Sequence, residues 1–195
     1  MTGRAASGRI RISGGNLRNS RLDVPDLPGL RPTPERVRET LFNWLQPVIN
    51  GARCLDLYAG TGALGIEALS RGASCVRFVE REPRLAAALR ANLVRLKVEN
   101  PEVAADDAAR LVSQAPAGKP YDVVFLDPPF ALEAWTSIAA QLEKAGWLAG
   151  HAWIYVERAR HTPVEMPANW LAHREGVAGE VAYTLYRRHP VDPLS

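Results

Sequence analysis

Asp127-Pro128-Pro129-Phe130 directly follows an apolar run at 121–126. A strand that ends in this tetrapeptide presents a carboxylate, rigid backbone carbonyls and an aromatic face at one point. Both prolines lack an N–H and have φ fixed at about −65°, so the turn offers acceptors without competing donors. Such a turn suits a flat base with an exocyclic amine. The alternative interpretation is an ordinary β-turn that stops a strand.

A second group of candidate residues begins with a glycine-rich segment at 60–65. Its letters, Gly-Thr-Gly-Ala-Leu-Gly, match the dinucleotide-binding fingerprint GxGxxG between a predicted strand and a predicted helix. Glu80 closes the next predicted strand, where an acidic side chain can bind both ribose hydroxyls. The pattern predicts a nucleoside cofactor, and an NAD-dependent oxidoreductase is one interpretation of it.

Three details favour S-adenosylmethionine as that cofactor. Asp56 stands close before Gly60, where it would repel a pyrophosphate but can face the ammonium group of a methionine moiety. Asp106-Asp107-Ala108 follows the third predicted strand, where a carboxylate can accept a hydrogen bond from an adenine amine. No histidine, lysine or tyrosine stands where hydride chemistry would require an acid or a base.

The elements that must position these residues form an alternating pattern. We predict strands at 53–58, 75–80, 102–105, 121–126 and 152–157, and helices at 62–71, 83–97, 107–115 and 132–146. Alternation of this kind indicates a doubly wound, Rossmann-like α/β domain with a mostly parallel sheet. Trp170–Arg174 and Val181–Arg188 are expected to form an antiparallel pair at the sheet edge. The chain's 195 residues, 47% of them hydrophobic, suffice for one domain with a full core.

Ligands of doubly wound sheets bind at the carboxyl ends of the strands, where the strand order reverses. The first and fourth strands flank that point, so the loops 60–62 and 127–130 should face each other. The Asp127 carboxylate and the Pro128 carbonyl would accept the two N–H groups of an aromatic amine, while Phe130 stacks on the base. That arrangement would turn the nitrogen lone pair toward the methyl group of S-adenosylmethionine.

The N-terminal region is expected to be a basic, irregular or β-rich arm at 1–32, preceding a methyltransferase domain at 33–195. Thr33 is the predicted N-cap of a helix at 33–46, and Pro34 its first residue. Residues 1–38 carry eight arginines and three acids, a charge of +5 within a chain whose net charge is +3. Such an excess is typical of a protein that binds a polyanion, most simply nucleic acid. The candidate RNA-binding residues are Arg9, Arg11, Arg18, Arg31, Arg36 and Arg38.

Other patterns narrow the class of protein. Cys54 and Cys75 lie in apolar stretches without metal-ligand spacing and are expected to be buried, reduced thiols of a cytoplasmic protein. The four histidines also lack ligand spacing, so we expect no metal. No apolar run is long enough for a membrane span, and the polar first residues indicate no secretory signal. Nothing in the sequence requires more than a monomer.

The motifs taken together resemble a known family. Asp56-x-x-x-Gly60-x-Gly62 paired with Asp127-Pro128-Pro129-Phe130 is similar to the amino-methylating Rossmann methyltransferases. The segments 11–15, 31–45 and 177–183 narrow the resemblance to the bacterial 16S rRNA guanine(966)-N2 methyltransferases, the RsmD family. The similarity extends over about residues 9–188. It implies S-adenosylmethionine as cofactor, guanine N2 as methyl acceptor, and the assembled small ribosomal subunit as partner.

The resemblance also assigns site residues. Asp127, Pro128, Pro129 and Phe130 would hold the guanine as the catalytic loop. The implied cofactor-binding residues are Asp56, Tyr58, Gly60, Thr61, Gly62, Glu80, Asp107 and Ala108. Tyr58 and Thr61 replace the phenylalanine and serine that are common in the family. Whether Arg36 and Arg38 contact the RNA or close over the cofactor stays open.

Four other functions are consistent with parts of the pattern. A DNA adenine-N6 methyltransferase uses the same loop but usually needs a target-recognition region, for which this chain has no room. A protein glutamine methyltransferase usually has asparagine at the first position of the loop. An NAD-dependent oxidoreductase would be separated by cofactor titration. A non-catalytic RNA-binding module would tolerate loss of Asp127.

Overall fold

The computed structural model describes residues 8–28, 30 and 32–190. The chain begins with an antiparallel hairpin of β1 (Gly8–Arg11) and β2 (Arg21–Val24), followed by helix α1 (Glu35–Ile49). An alternating segment then comprises β3 (Arg53–Asp56), α2 (Ala63–Ser70), β4 (Cys75–Val79), α3 (Pro83–Arg95), β5 (Glu102–Ala104), α4 (Ala108–Val112), β6 (Tyr121–Leu126), α5 (Trp135–Lys144) and β7 (Leu148–Ala159). The last strands are β8 (Trp170–Ala178) and β9 (Val181–Arg188).

Seven strands form one sheet in the order β5-β4-β3-β6-β7-β9-β8. The first five in that order run parallel, and β9 pairs antiparallel with both β7 and β8. The strand order reverses between β3 and β6. The prediction of a doubly wound, mostly parallel α/β sheet with an antiparallel C-terminal pair is therefore confirmed.

Each face of the sheet has its own hydrophobic core. Successive residues of β6 alternate between the faces, as the pleat requires: Val123 and Phe125 pack with α1, α2 and α3, while Val124 and Leu126 pack with α4 and α5. The first core also contains Ile12 and Leu22, both with no exposed surface. The hairpin predicted as part of an arm is thus packed into the main core of the domain.

Several element boundaries differ from the prediction. The last predicted helix begins at Trp135 rather than 132, because a short 3₁₀ turn at Phe130–Leu132 ends in a left-handed Glu133 with φ of 46°. β7 begins four residues earlier than predicted, and β8 continues to Ala178, leaving a tight turn at Gly179 and Glu180. Within the described part of the chain, no helix combines the length and the apolarity needed to span a bilayer.

Candidate functional site

The register of the central strands brings the two predicted loops to the same edge of the sheet. Asp56 pairs with Phe125 across the parallel strands β3 and β6, and Leu57 N donates to Phe125 O at 3.2 Å. The chain therefore leaves β3 toward Gly60 and leaves β6 at Asp127 side by side. This is the reversal point of the strand order, where ligands of doubly wound sheets bind.

The glycine loop after β3 has an open space on one side and close packing on the other. Gly60 has φ of +56°, and a Cβ placed on it would meet no protein atom within 4 Å. We call this open space the Gly60 cradle. Gly62 has φ of +92°, and a Cβ there would approach Leu89 Cδ1 to 2.5 Å. The second glycine thus allows the helix to pack closely, whereas the first leaves room for a ligand.

Glu80 ties the loop to the end of β4. Its Oε2 accepts from Gly60 N at 2.8 Å, and its Oε1 accepts from Glu82 N at 2.8 Å. Burial raises the pKa of Glu80, and the two backbone hydrogen bonds oppose that rise. Each carboxylate oxygen has a second lone pair that can accept a hydrogen bond from a ligand hydroxyl.

Asp56 is buried at the N-terminal end of α2, with 2% of its surface exposed. Its Oδ2 accepts from Gly65 N at 3.0 Å. Burial raises the pKa of Asp56 to about 7, the Gly65 hydrogen bond opposes the shift, and the nearby Glu80 charge adds to it. A helix N-terminus ordinarily attracts phosphate. Here a carboxylate already lies against it, which makes the position unfavourable for a pyrophosphate.

Asp107 caps α4 and lies after β5, as predicted. Its Oδ1 accepts from Arg110 N at 3.1 Å, and its Oδ2 lies 3.4 Å from Arg81 Nη1. The next residue, Ala108, is buried. The predicted cofactor residues Tyr58 and Thr61 lie in the glycine loop, half-buried and buried respectively. All eight predicted cofactor residues therefore follow strands β3, β4 or β5 or close them, at one edge of the sheet.

The four residues of the loop after β6 differ in how far they are exposed. Asp127 is half-buried, Pro128 is buried, and Pro129 and Phe130 are exposed. The Phe130 ring lies 5.9 Å from the Trp135 ring, tilted by 47°. Trp135 is itself held by a hydrogen bond from its Nε1 to Glu157 O at 2.7 Å. Phe130 is thus supported from behind, with 38% of its surface open.

A connected group of side chains that the sequence analysis did not assign to the site lies beside this loop: Thr33, Tyr155 and Glu157. The register of β6 and β7 pairs Leu126 with Val156, so Asp127 lies beside Glu157. Tyr155 Oη donates to Glu157 Oε2 at 2.8 Å. Thr33 Oγ1 lies 3.1 Å from Glu157 Oε2 and 3.4 Å from Asp127 Oδ2. An acidic residue ending an apolar strand is the signal that identified Asp127, and Glu157 carries the same signal.

The prediction that Thr33 caps α1 is wrong. Pro34 occupies the N-cap position, and no side chain caps the helix. The Thr33 hydroxyl instead reaches the two carboxyl groups, because the chain enters α1 directly above the ends of β6 and β7. The chain that leads into α1 therefore contributes Thr33 to the site, and Arg36 lies exposed in the first turn of the helix.

The two neighbouring carboxyl groups strongly affect each other. Burial, together with the charges of Glu157 and Asp56, raises the pKa of Asp127 well above its usual range. Burial also raises the pKa of Glu157, while hydrogen bonds from Tyr155 and Thr33 oppose that rise. Two desolvated carboxyl groups this close do not both ionise readily.

The predicted RNA-binding arginines divide into two groups. Arg9, Arg11, Arg18 and Arg36 are exposed, although Arg9 lies 3.6 Å from Asp23 and Arg11 is paired with Glu35. Arg31 lies outside the described residues. Arg38 does not fit the prediction, because only 2% of its surface is exposed.

Arg38 holds the N-terminal hairpin against the helices. Its guanidinium donates to Arg11 O at 3.0 Å and to Thr33 O at 3.3 Å, and lies 3.5 Å from Glu67 Oε2. Glu67 has no exposed surface and also accepts from Ser13 N at 2.9 Å. The planar donor fork of arginine satisfies several acceptors at once here, so its role is structural.

The side chains also bear on metal binding. Over residues 8–28, 30 and 32–190, no three histidine, cysteine, aspartate or glutamate side chains are grouped so as to hold a metal ion. The carboxylates at the site instead face backbone N–H groups, hydroxyls and one another.

Comparisons with known proteins identify relatives over nearly the whole chain. A family model described as Conserved hypothetical protein 95 matches residues 10–187. The chain is 50% identical to ribosomal RNA small subunit methyltransferase D of Escherichia coli K12 over 185 residues, covering 94% of this chain and 92% of the relative. It is 42% identical to the Haemophilus influenzae protein of the same name, covering 93% of this chain and 95% of the relative.

A solved structure has the same fold. It is that of yhhF, a candidate methyltransferase from Escherichia coli, with a TM-score of 0.87 and 46% identity over 94% of this chain and all of that one. Family model, sequence relatives and solved structure each match nearly the whole chain. The chain belongs to the family of the ribosomal RNA small subunit methyltransferase D proteins.

Proposed function

We propose that the protein transfers the methyl group of S-adenosylmethionine to the exocyclic N2 amine of a guanine, G966, in the 16S rRNA of the small ribosomal subunit. One observation carries the proposal: the glycine loop after β3 and the Asp127–Phe130 loop after β6 lie side by side at the sheet edge. A methyl donor in the first loop and an amine in the second would meet in one crevice.

The residues of the first loop fit the proposed cofactor. S-adenosylmethionine supplies a methyl group on a positively charged sulfur. The Gly60 cradle leaves space for a ligand, Glu80 offers acceptors for ribose hydroxyls, and Asp56 offers a buried carboxylate for an ammonium group. A dinucleotide would bring a pyrophosphate against Asp56 at the N-terminal end of α2, and two anions this close repel in a buried site. The geometry therefore favours a cationic nucleoside over NAD.

The second loop fits a flat aromatic amine. Asp127 and the Pro128 carbonyl accept the two N–H groups, which orients the nitrogen lone pair out of the ring plane. Pro129 holds the loop rigid, and Phe130 stacks on the base from its support on Trp135. An amine needs no strong base before it attacks, since its nitrogen becomes acidic only after methylation. One N–H bond then breaks, its electron pair stays on nitrogen, and Asp127 takes the proton.

The surface around the site suits RNA. Arg36 lies exposed in the first turn of α1, three residues after Thr33, and thus at the rim of the acceptor loop. Arg18 extends the exposed positive charge onto the hairpin, where Arg9 and Arg11 are also exposed but lie beside Asp23 and Glu35. These positions would contact phosphates, which position an RNA without reading its sequence. The relatives are named for ribosomal RNA of the small subunit, and we propose that substrate, within a cytoplasmic, monomeric protein.

The choice of guanine over adenine rests on the family resemblance. The test is transfer of tritiated methyl groups to methylation-deficient small subunits and to naked rRNA, followed by nucleoside analysis. We expect N2-methylguanosine at position 966, with intact small subunits preferred over naked rRNA. N6-methyladenosine as the product would refute the proposed acceptor.

Asp127→Ala tests the catalytic loop itself. Methyl transfer should be abolished because the amine loses its acceptor, while cofactor binding should survive because Asp127 lies in the other loop. Glu99→Ala is the matched control, since this exposed acid follows α3 at the opposite edge of the sheet. Near-normal labelling of small subunits by Asp127→Ala would overturn the mechanism.

A further inference from the structure

One hydroxyl group behind the acceptor loop lies between two carboxyl groups. Thr33 Oγ1 is 3.1 Å from Glu157 Oε2 and 3.4 Å from Asp127 Oδ2. A threonine hydroxyl carries a single proton, so it can donate to only one carboxylate at a time. The second carboxyl group can join the hydrogen-bonded chain only if it is protonated and donates to Thr33. The arrangement therefore holds one proton on the Asp127–Glu157 pair.

We propose that Thr33 and Glu157 form a proton relay behind Asp127, which moves the proton from Asp127 to Glu157 when the guanine amine binds. This inference rests on the proposed function for the identity of the amine. In the relay, Thr33 and Glu157 are positioning residues, because they act on the substrate only through Asp127. Asp127 then meets the amine as a carboxylate, the form that accepts hydrogen bonds most strongly.

The resting position of the proton follows from the partners of each group. Glu157 accepts from Tyr155 Oη at 2.8 Å and from Thr33, and both hydrogen bonds favour its ionised form. Among the described residues, the Asp127 side chain hydrogen-bonds only to Thr33, and burial together with the negative charges of Glu157 and Asp56 raises its pKa well above the usual range. Without substrate, the proton thus resides on Asp127, which donates to Thr33 while Thr33 donates to Glu157.

Substrate binding reverses this preference. The N–H groups of the amine and the positive cofactor both stabilise a negative charge on Asp127. The O–H bond of Asp127 breaks as its proton moves to Thr33 Oγ1, and the original Thr33 proton forms an O–H bond with Glu157 Oε2. Thr33 then donates to Asp127. One proton has moved, no net charge is gained or lost, and Asp127 is free to accept the proton released by the methylated nitrogen.

Within the part of the chain that the structure describes, the other ionisable groups around the relay do not supply an alternative path. Asp56 faces it from β3, and Tyr155 lies on β7 with Glu157. Tyr183 on β9 pairs with Glu157 in register. Arg38 of α1 contacts the Thr33 carbonyl rather than its hydroxyl. Asp56 adds a negative charge and Tyr155 donates a hydrogen bond to Glu157, but the atoms that join Asp127 to Glu157 are those of Thr33.

Two nearly isosteric variants shift the titration of Asp127 in opposite directions. Glu157→Gln removes the neighbouring negative charge, so the acidic limb of the pH profile of single-turnover transfer should move to lower pH by about one unit. Thr33→Val removes the hydrogen bond that favours ionised Asp127, so the same limb should move to higher pH. Thr33→Ser should restore it. Glu175→Gln, an exposed site on β8, is the control and should leave the profile unchanged.

A second measurement does not depend on the substrate. Titration of the ¹³C-labelled Asp127 carboxyl group in the ligand-free protein should show its pKa well above the ordinary range, lowered in Glu157→Gln and raised in Thr33→Val. If both variants merely lower the rate with the limb unmoved, or if the Asp127 titration is the same in all proteins, the relay is refuted. If the wild-type protein transfers no methyl group to guanine but the titrations shift as stated, the proposed function fails and the relay stands.

Discussion

Gly60→Ala should separate cofactor binding from stability. The left-handed φ of +56° costs an alanine about 1–2 kcal/mol in the folded protein. Gly146 is the matched control, because it has φ of +78°, an equally open surrounding, and a position before β7 at the opposite edge of the sheet. Both variants should therefore lose a similar free energy of unfolding, about 1–2 kcal/mol, in urea titrations.

Of these two variants, only Gly60→Ala should weaken the binding of the cofactor. Its new methyl group would project into the Gly60 cradle, and the loop cannot retreat freely because Gly60 N donates to Glu80 at 2.8 Å. Overfilling a closely fitted site costs about 1–3 kcal/mol, which corresponds to about 5- to 150-fold weaker binding. Isothermal titration with S-adenosylhomocysteine measures this directly. Wild-type affinity in Gly60→Ala, or an equal loss in Gly146→Ala, would refute the assignment of the cradle.

Three further predictions concern pH, packing and RNA. Burial raises the pKa of Asp56 to about 7, and a cationic ligand favours the ionised form of this carboxyl group. Cofactor affinity should therefore rise with pH up to about pH 7, by at most about tenfold per pH unit, and level off above that pH. Asp56→Asn should bind more weakly without that dependence, and a flat wild-type curve would contradict the assignment. Arg38→Met should lower the free energy of unfolding in urea by about 3 kcal/mol, because two backbone carbonyls and Glu67 lose a buried donor. The exposed control Arg36→Met should change it by no more than about 0.5 kcal/mol. Equal losses would refute the structural role of Arg38. Arg18→Gln should reduce the slope of log affinity against log salt concentration, for binding to small subunits, by about the amount of one phosphate contact. The cofactor titration should stay unchanged. An unaltered slope would show that Arg18 does not contact the RNA.

The position of the two loops was predictable because the signals that mark them are local. Glycines, acids and prolines at fixed spacing after apolar strands indicate a turn type and a set of acceptors whatever the rest of the chain does. The parallel alternation of strands and helices then requires those loops to meet at one edge of the sheet. The structure has the predicted order reversal between β3 and β6, with both loops there.

The errors came from residues whose surroundings are distant in sequence. Thr33 has the sequence context of an N-cap, and Arg38 that of an exposed basic residue on a polar helix face. In the folded protein the Thr33 hydroxyl reaches carboxyl groups 94 and 124 positions away, and Arg38 is enclosed by the hairpin and Glu67. The arm was predicted as a basic, β-rich extension, and its packing through Ile12 and Leu22 into the core was not predictable from local patterns.

The sequence by itself determined the fold class, the glycine loop and the acceptor loop, because strand and turn preferences act over a few neighbouring residues. Only the tertiary structure decided which groups stand behind Asp127. The contact of Thr33 with Asp127 and Glu157 depends on the start of α1 lying near the ends of β6 and β7, and no local pattern records that proximity. Burial in the folded protein also sets the pKa values of Asp127 and Glu157, since a carboxyl group has an ordinary pKa in water and a raised pKa when its solvent is removed.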